Sequence, residues 1–271
     1  MLPIIYIEVL GMNIHLVSYK LFALSAMIVG LILTFIIMRH EKIAFRKIII
    51  LLFCTCISFL IGARLLNFFV NSDAYGFNFH VWTLRLTNFS LYGGIIGATM
   101  STIVIVRILK LDLWKQMDMY VLPMGVAFSI ARVGCFMAGC CAGKLTFSPL
   151  GVHFPNARLV GESLNTLSSF FSFAEPGLYP TQLYEMALAL VGLIPVMILY
   201  SKNKLPNGGA FLLYAMWFSA MRWFILYFRD YPYSELITTW VYPFMYFIII
   251  IVAFRFYICK RRIMNEEAKQ C

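Results

Sequence analysis

The stretch Ile130-Ala131-Arg132-Val133-Gly134-Cys135-Phe136-Met137-Ala138-Gly139-Cys140-Cys141-Ala142-Gly143-Lys144 places an arginine among small and apolar residues. It continues an apolar run that begins near residue 117, and about 20 mainly apolar residues are enough to cross a bilayer as a helix. An arginine inside a membrane costs about 3 to 15 kcal/mol, so a chain that keeps Arg132 is expected to use it. If the stretch stays helical, Arg132, Cys135, Gly139 and Gly143 share one face, which predicts an anion-binding groove without bulky side chains.

The composition of the whole chain indicates a membrane protein. Of its 271 residues, 62% are hydrophobic and only 13% are charged, whereas a soluble domain is about half apolar. The N-terminus lacks the basic region of a cleaved signal peptide, and we expect the first apolar segment to stay as a span. The net charge of +10 could suggest nucleic acid, but the basic residues flank apolar runs, and no nucleic-acid partner is expected.

Seven apolar stretches are long enough to be transmembrane helices. We therefore predict an all-α integral membrane protein with a single transmembrane domain over residues 1–271. Two long connections, 71–89 and 144–184, are expected outside the cell, and the second is long enough to form a small cap. The predicted spans are 17–38, 48–70, 90–108, 117–139, 185–200, 209–228 and 237–258.

Basic residues concentrate on alternate connections between these spans. The positive-inside rule then places the N-terminus outside and the C-terminus in the cytoplasm. The residues that set this orientation are Arg39, Lys42, Arg46, Lys47, Arg107, Lys110, Lys115, Lys202, Lys204, Arg255, Lys260, Arg261, Arg262 and Lys269.

Three arginines lie within apolar runs: Arg64, Arg132 and Arg222. Arg229 follows Arg222 by seven residues and shares its helix face, although for Arg229 alone the simplest interpretation is snorkelling to the headgroups. Glu185 is the acidic residue best placed to neutralise these charges, and we expect it in the first turn of a helix. The remaining positive charge favours an anionic partner, and the abundant anion in a bilayer is a lipid phosphate.

The cysteines near the end of the fourth span have four interpretations, of which a thiol acyl-enzyme is a minor one, because no histidine lies close in sequence to activate a thiol. Close packing of small residues is the simplest for Cys135, Cys140 and Cys141. A disulfide between Cys135 and one of the other two becomes possible if the helix breaks at Gly139, because this end is expected to face an oxidising compartment. A zinc site is not expected, because the spacing lacks a second ligand pair and the histidines are scattered.

A run of glycines opens the third span, at residues 92–97. Gly93 and Gly97 form a G-x-x-x-G pair, which is typical of close helix packing. Tyr92 adds a hydroxyl at the membrane surface that could donate to an anion or relay a proton.

Six motifs in order resemble those of the prolipoprotein diacylglyceryl transferase family over nearly the whole chain. The family signature G-R-x-G-N-F-x-N-G-E-x-x-G is answered by residues 131–143, and its H-P-S-Q-L-Y-E by residues 179–185. The other matches are Tyr19 near the start of the first span, Gly-Ala-Arg-Leu at 62–65, the glycine run at 92–97, and the arginine pair at 222–229.

The resemblance implies a transferase of the bacterial inner membrane whose active site faces the periplasmic side. Such enzymes move the diacylglyceryl group of phosphatidylglycerol to the lipobox cysteine of a prolipoprotein signal peptide and release glycerol phosphate. By position, the catalytic residues would be Arg132, Arg222 and Tyr92, with no metal or other cofactor. The implied substrate-binding residues are Tyr19, Arg64, Gly93, Gly94, Gly134, Cys135, Gly139, Gly143, Gln182, Tyr184, Glu185 and Arg229.

The chain departs from the family pattern where a thiol would be activated. Tyr92 replaces a histidine, Cys135 an asparagine, Cys140 a glutamate and Leu226 a glutamate. A tyrosine with an ordinary pKa near ~10 is a poor base at neutral pH. Two alternatives therefore stay open: a related transferase acting on a glycan or lipid acceptor, and a non-catalytic phospholipid-binding membrane protein.

Overall fold

The computed structural model describes residues 4–9, 12–70, 91–149, 151–154, 177–230 and 235–270. Within these residues, seven α-helices correspond to the seven predicted spans. They are α1 (Ser18–His40), α2 (Phe45–Val70), α3 (Leu91–Ile108), α4 (Leu113–Ala138), α5 (Thr181–Ser201), α6 (Gly209–Leu226) and α7 (Tyr242–Gln270), the last preceded by a π-helical turn at Ile237–Val241.

Six of the helices are long and apolar enough to cross a membrane. The exception is α3, which contributes a shorter apolar segment, Gly93–Ile108. Large apolar side chains such as Ile32, Phe53 and Phe244 are more than half exposed, which suits surfaces that face lipid. The chain is therefore a multi-pass membrane protein, while a seventh span and the orientation of the termini stay predictions.

In the described part of the chain, two small antiparallel sheets accompany the helices. One is an N-terminal hairpin of β1 (Ile4–Val9) and β2 (Met12–Val17), which leads directly into α1. The other pairs β3 (Leu145–Thr146) with β4 (Gly177–Leu178). The second sheet falls in the predicted cap region 144–184, of which residues 150 and 155–176 lie outside the described part, as do the connection 71–90 and the side chain of Tyr92.

The helical chain separates into two compact units, one formed by residues 34–119 and the other by residues 1–33 and 120–271. In the first unit, α2 and α3 approach closely through the predicted glycines. A Cβ on Gly97 would lie 3.2 Å from the Cα of Gly62 and would collide with the carbonyl of Ser58. Small-residue packing at this interface is confirmed.

In the second unit, α5 and α6 pack against each other along much of their length. The indole of Trp217 covers Gly192 and donates a hydrogen bond to the carbonyl of Leu188, with Nε1 and O 2.7 Å apart. Tyr214 is buried in the same core as Leu193 of α5. These contacts fix the spacing of the two helices that carry Glu185 and Arg222.

Candidate functional site

The arginine- and cysteine-containing stretch at residues 130–144 is only partly helical. Helix α4 ends at Ala138, and Gly139 adopts a left-handed conformation with φ +71°. The prediction that Arg132, Cys135, Gly139 and Gly143 share one helix face is therefore wrong for the two glycines. A glycine tolerates this backbone without a Cβ clash and commonly ends helices, so the chain turns at Gly139.

Glu185 lies at the centre of the site and contacts three arginines. Its Oε2 is 2.6 Å from Nε of Arg132, while its Oε1 lies 3.0 Å from Nη1 of Arg229 and also pairs with Nη1 of Arg222. The Glu185 side chain is only 1% exposed, and the arginine side chains are 13–16% exposed. We call these four residues the arginine–glutamate cluster.

The cluster is assembled from three elements of one unit. Arg132 comes from α4, Glu185 from α5 and Arg222 from α6, while Arg229 follows α6. The backbone of Gly143 forms a β-bridge with Arg229, and the amide of Lys144 donates to the carbonyl of Phe228 at 2.8 Å. The segment after α4 is thus fastened to the segment after α6.

Gly143 has a specific steric role in this junction. An added Cβ would lie 2.7 Å from the Cβ of Tyr179 and 2.8 Å from the Cγ2 of Thr181. Its amide also donates to the carbonyl of Tyr179 at 2.8 Å. Gly143 therefore serves the predicted site by letting backbones approach rather than by lining a helix face.

The charges of the cluster do not cancel. Three guanidiniums and one carboxylate leave a net charge of about +2 in a largely buried setting. The Arg132 guanidinium also lies 4.8 Å from the centre of the Phe128 ring, a cation–π contact that steadies it. The excess positive charge makes the cluster suited to an anion.

The start of α5 holds the segment that follows α4. Gln182 donates from Nε2 to the carbonyl of Cys140 at 2.6 Å, and the hydroxyl of Thr181 donates to the carbonyl of Cys141 at 3.0 Å. Helix α5 begins at Thr181, directly after Pro180. Glu185 therefore lies in the second turn of the helix, and the prediction that it lies in the first turn is wrong. The helix thus starts four residues before the predicted span of 185–200, and this earlier start brings Gln182 within reach of the cysteines.

The turn at Gly139 gathers three cysteines into one cluster. The sulfurs of Cys135, Cys140 and Cys141 all lie within 4.8 Å of one another. Nη1 of Arg132 is 4.0 Å from the sulfur of Cys135, so the thiol cluster adjoins the arginine–glutamate cluster. Hydrogen bonds from the Cys135 and Cys140 thiols, together with the charges of Arg229 and Arg132, lower the pKa of Cys141 and favour its thiolate.

Three other predicted residues lie in the same unit. Tyr19 of α1 is 44% exposed and lies within electrostatic range of Arg132 and the three thiols. Gly134 is covered by the side chain of Phe22, which gives it a packing role between α4 and α1. Tyr184, which precedes Glu185 in the sequence, contacts Phe228, with the two ring centroids 6.3 Å apart.

The remaining predicted residues belong to the other unit. Arg64 is buried at 8% exposure, and Gly93 and Gly94 pack against α2, Gly94 against the ring of Phe59. Their place in the site, and that of Tyr92, stays a prediction. The break at Gly139, which was the condition expected to bring Cys135 near one of the other two cysteines, is present, and the three cysteines are free thiols. The meeting of all three was not predicted, although the Gly-Cys-Cys step after the helix was the available signal.

Comparison with known families gives one match that spans most of the chain. Residues 5–259 match the family model described as prolipoprotein diacylglyceryl transferase. This range contains every residue of the arginine–glutamate cluster and of the thiol cluster.

Individual relatives in this family are distant. A phosphatidylglycerol–prolipoprotein diacylglyceryl transferase of Clostridium tetani is 30% identical over 144 residues, which is 53% of this chain and 53% of the relative. A protein of the same name from Listeria innocua is 26% identical, over 76% of this chain and 72% of the relative. A third, from Chlorobaculum tepidum, is also 26% identical, over 54% of this chain and 45% of the relative. The match thus spans about half the length of two of the three relatives. With the family model covering nearly the whole chain, the protein belongs to the prolipoprotein diacylglyceryl transferase family of transferases.

Proposed function

We propose that the protein transfers the diacylglyceryl group of phosphatidylglycerol to the lipobox cysteine of prolipoproteins, with release of glycerol phosphate. The observation that carries this proposal is the buried arginine–glutamate cluster with its net positive charge. The family model and the names of the relatives support the substrate pair. The site would face the periplasmic side of the bacterial inner membrane.

The cluster suits a reaction at carbon with a phosphate leaving group. The acceptor sulfur would attack the glyceryl carbon of the lipid, forming a C–S bond while the bond from that carbon to the phosphate oxygen breaks. The oxygen keeps the electron pair and leaves as glycerol phosphate, and the thiol proton passes to solvent. Arg132 and Arg222 would stabilise the charge that grows on the departing phosphate.

Glu185 would act as a positioning residue for this step. It holds three guanidiniums in fixed directions before the lipid arrives, because each makes an ion pair with one of its two oxygens. Donors that are oriented in advance need no reorganisation when the transition-state charge develops. A lipid phosphate would share the arginine donors with Glu185 rather than replace it.

The test is a transfer assay on the full-length protein in detergent or vesicles. Purified protein is incubated with phosphatidylglycerol labelled in its glycerol headgroup and a lipobox peptide, and peptide lipidation and glycerol phosphate are measured together. The proposal predicts equal amounts of both products. Glycerol phosphate without peptide modification would contradict the lipobox acceptor and favour a glycan or lipid acceptor. Neither product, with lipid binding retained, would favour a non-catalytic lipid-binding protein.

A further inference from the structure

We propose that Cys135, Cys140 and Cys141 form a three-thiolate site for a soft divalent cation, Zn²⁺ by preference, whose fourth position takes the acceptor thiol. The second half of this inference rests on the proposed function, whereas the metal site stands on the geometry of the cysteines alone.

The geometry of the thiol cluster is close to that of a metal site. The three sulfurs lie within 4.8 Å of one another. Thiolates that bind Zn²⁺ at about 2.3 Å in a tetrahedral arrangement are separated by roughly 3.8 Å. Side-chain rotations that move each sulfur by roughly 1 Å would therefore close the site.

The backbone that presents the thiols is held at several points. Gly139 and Cys141 both have positive φ, +71° and +61°, which turns the chain so that its sulfurs return toward Cys135 at the end of α4. The carbonyls of Cys140 and Cys141 accept hydrogen bonds from Gln182 and Thr181, two fully buried residues of α5. A non-glycine residue with positive φ is uncommon, and such positions cluster at ligand sites.

The charge around the thiols favours an anionic metal complex. Zn²⁺ with three thiolates carries a net charge of about −1, and it would lie beside a cluster with a net charge of about +2. The guanidinium of Arg132 faces Cys135, with its Nη1 4.0 Å from the sulfur. The arginines thus place positive charge beside the anionic complex that a soft cation would form with deprotonated thiols.

The site also leaves room for a fourth ligand. Cys135 is buried, whereas Cys140 and Cys141 are exposed, so an incoming group reaches the cluster from their side. Zinc sites with three protein ligands keep a fourth position for water or substrate. A thiol that binds there is deprotonated outright, and its proton passes to solvent. The proposed transfer requires such a thiolate beside the phosphate-binding arginines.

The first experiment measures metal binding by the full chain in detergent. Reduced, metal-free protein is titrated with Zn²⁺ and Co²⁺, and bound metal is measured by mass spectrometry. We expect one ion per chain, with binding weakened about 100-fold or more in the Cys135→Ser/Cys140→Ser/Cys141→Ser variant. The matched control, Cys54→Ser/Cys56→Ser/Cys259→Ser, removes the same number of thiols elsewhere and should bind like the wild type.

Either of two results would overturn the metal site. Reduced wild-type protein that binds no metal, or a wild type and a triple-serine variant that bind equally, would contradict it. A native disulfide would show before reduction as two fewer free thiols. If the protein then failed to bind metal after reduction, the inference would also be overturned.

The second experiment tests the thiol at the fourth position. The Co²⁺-loaded protein is mixed with a lipobox peptide, and the sulfur-to-cobalt charge-transfer absorption is recorded. The absorption should rise with the cysteine peptide and stay unchanged with its Cys→Ser form. No difference between the two peptides would overturn the thiol-binding role. Full transfer activity in metal-free protein would also overturn the thiol-binding role, but it would leave the proposed function standing. Thiol binding at the metal without transfer would contradict the proposed function instead.

Discussion

Glu185 is a buried carboxylate that contacts three arginines, so its removal would take an ion pair from each of them. Breaking a buried ion pair by removing one partner costs about 3–5 kcal/mol, because the other charge stays buried and uncompensated. Glu185 is therefore expected to be needed for the folding of the site as well as for its proposed activity.

We predict that Glu185→Gln lowers the thermal midpoint of the protein in detergent and weakens its stability by about 3 kcal/mol. Glu185→Gln combined with Arg229→Gln should recover part of that loss, since one repelling charge is removed. Thermal unfolding of the two single variants and the double variant gives the coupling energy. A double variant whose destabilisation equals the sum of the two single changes would show that Glu185 and Arg229 act independently.

A second residue-scale prediction concerns the arginines expected to bind phosphate. Arg132→Lys and Arg222→Lys should each reduce transfer about 100-fold or more, because a lysine keeps the charge but loses the planar donor array. Glycerol phosphate release under single-turnover conditions is the measurement. Arg255→Lys is the matched control, since Arg255 lies exposed on α7. Near-normal turnover of the Arg222→Lys enzyme would show that only net charge matters.

At the scale of the element, glycines decide how closely the helices approach. The G-x-x-x-G pair in the sequence predicted close helix packing, because small residues at a spacing of four share one helix face, and the structure shows that the partner helix is α2. The predicted fourth span ends at residue 139, within one residue of the end of α4 at Ala138. The path of the chain after the helix could not be predicted in the same way. It depends on the bridge from Gly143 to Arg229 and on donors from α5, which are contacts between residues distant in sequence.

We predict that Gly97→Ala destabilises the protein by about 1–3 kcal/mol, because its Cβ would meet the backbone of Ser58 and no side-chain rotation can relieve that clash. Gly30→Ala is the control, since its Cβ would lie 3.4 Å from that of Ala127, an ordinary contact. The comparison is made by thermal unfolding in the same detergent. Equal midpoints for both variants would mean that α2 and α3 separate easily.

The sequence also singled out the four residues that the structure brings into contact, but not how they meet. Arg132, Arg222, Arg229 and Glu185 could be named because charged residues in apolar runs are costly and stand out. That Glu185 joins three arginines, and that three cysteines converge beside them, depends on packing between α4, α5 and α6. No spacing within one segment contains that information.

At the scale of the whole molecule, the basic connections set a topology that can be measured. The positive-inside pattern predicts a periplasmic N-terminus and a cytoplasmic C-terminus. A green fluorescent protein fused to the C-terminus should fluoresce, and alkaline phosphatase fused there should be inactive. The reverse pattern would place the arginine–glutamate cluster near the wrong face for a periplasmic acceptor.

The arginine–glutamate cluster is proposed as the binding site for a phospholipid phosphate. Native mass spectrometry of the protein released from nanodiscs of equal phosphatidylglycerol and phosphatidylethanolamine tests this directly. The wild type should retain phosphatidylglycerol, the Arg132→Ala/Arg222→Ala variant should lose it, and the Arg255→Ala/Arg261→Ala control should keep it. Equal retention of phosphatidylglycerol by all three proteins would contradict phosphate binding at the arginine–glutamate cluster.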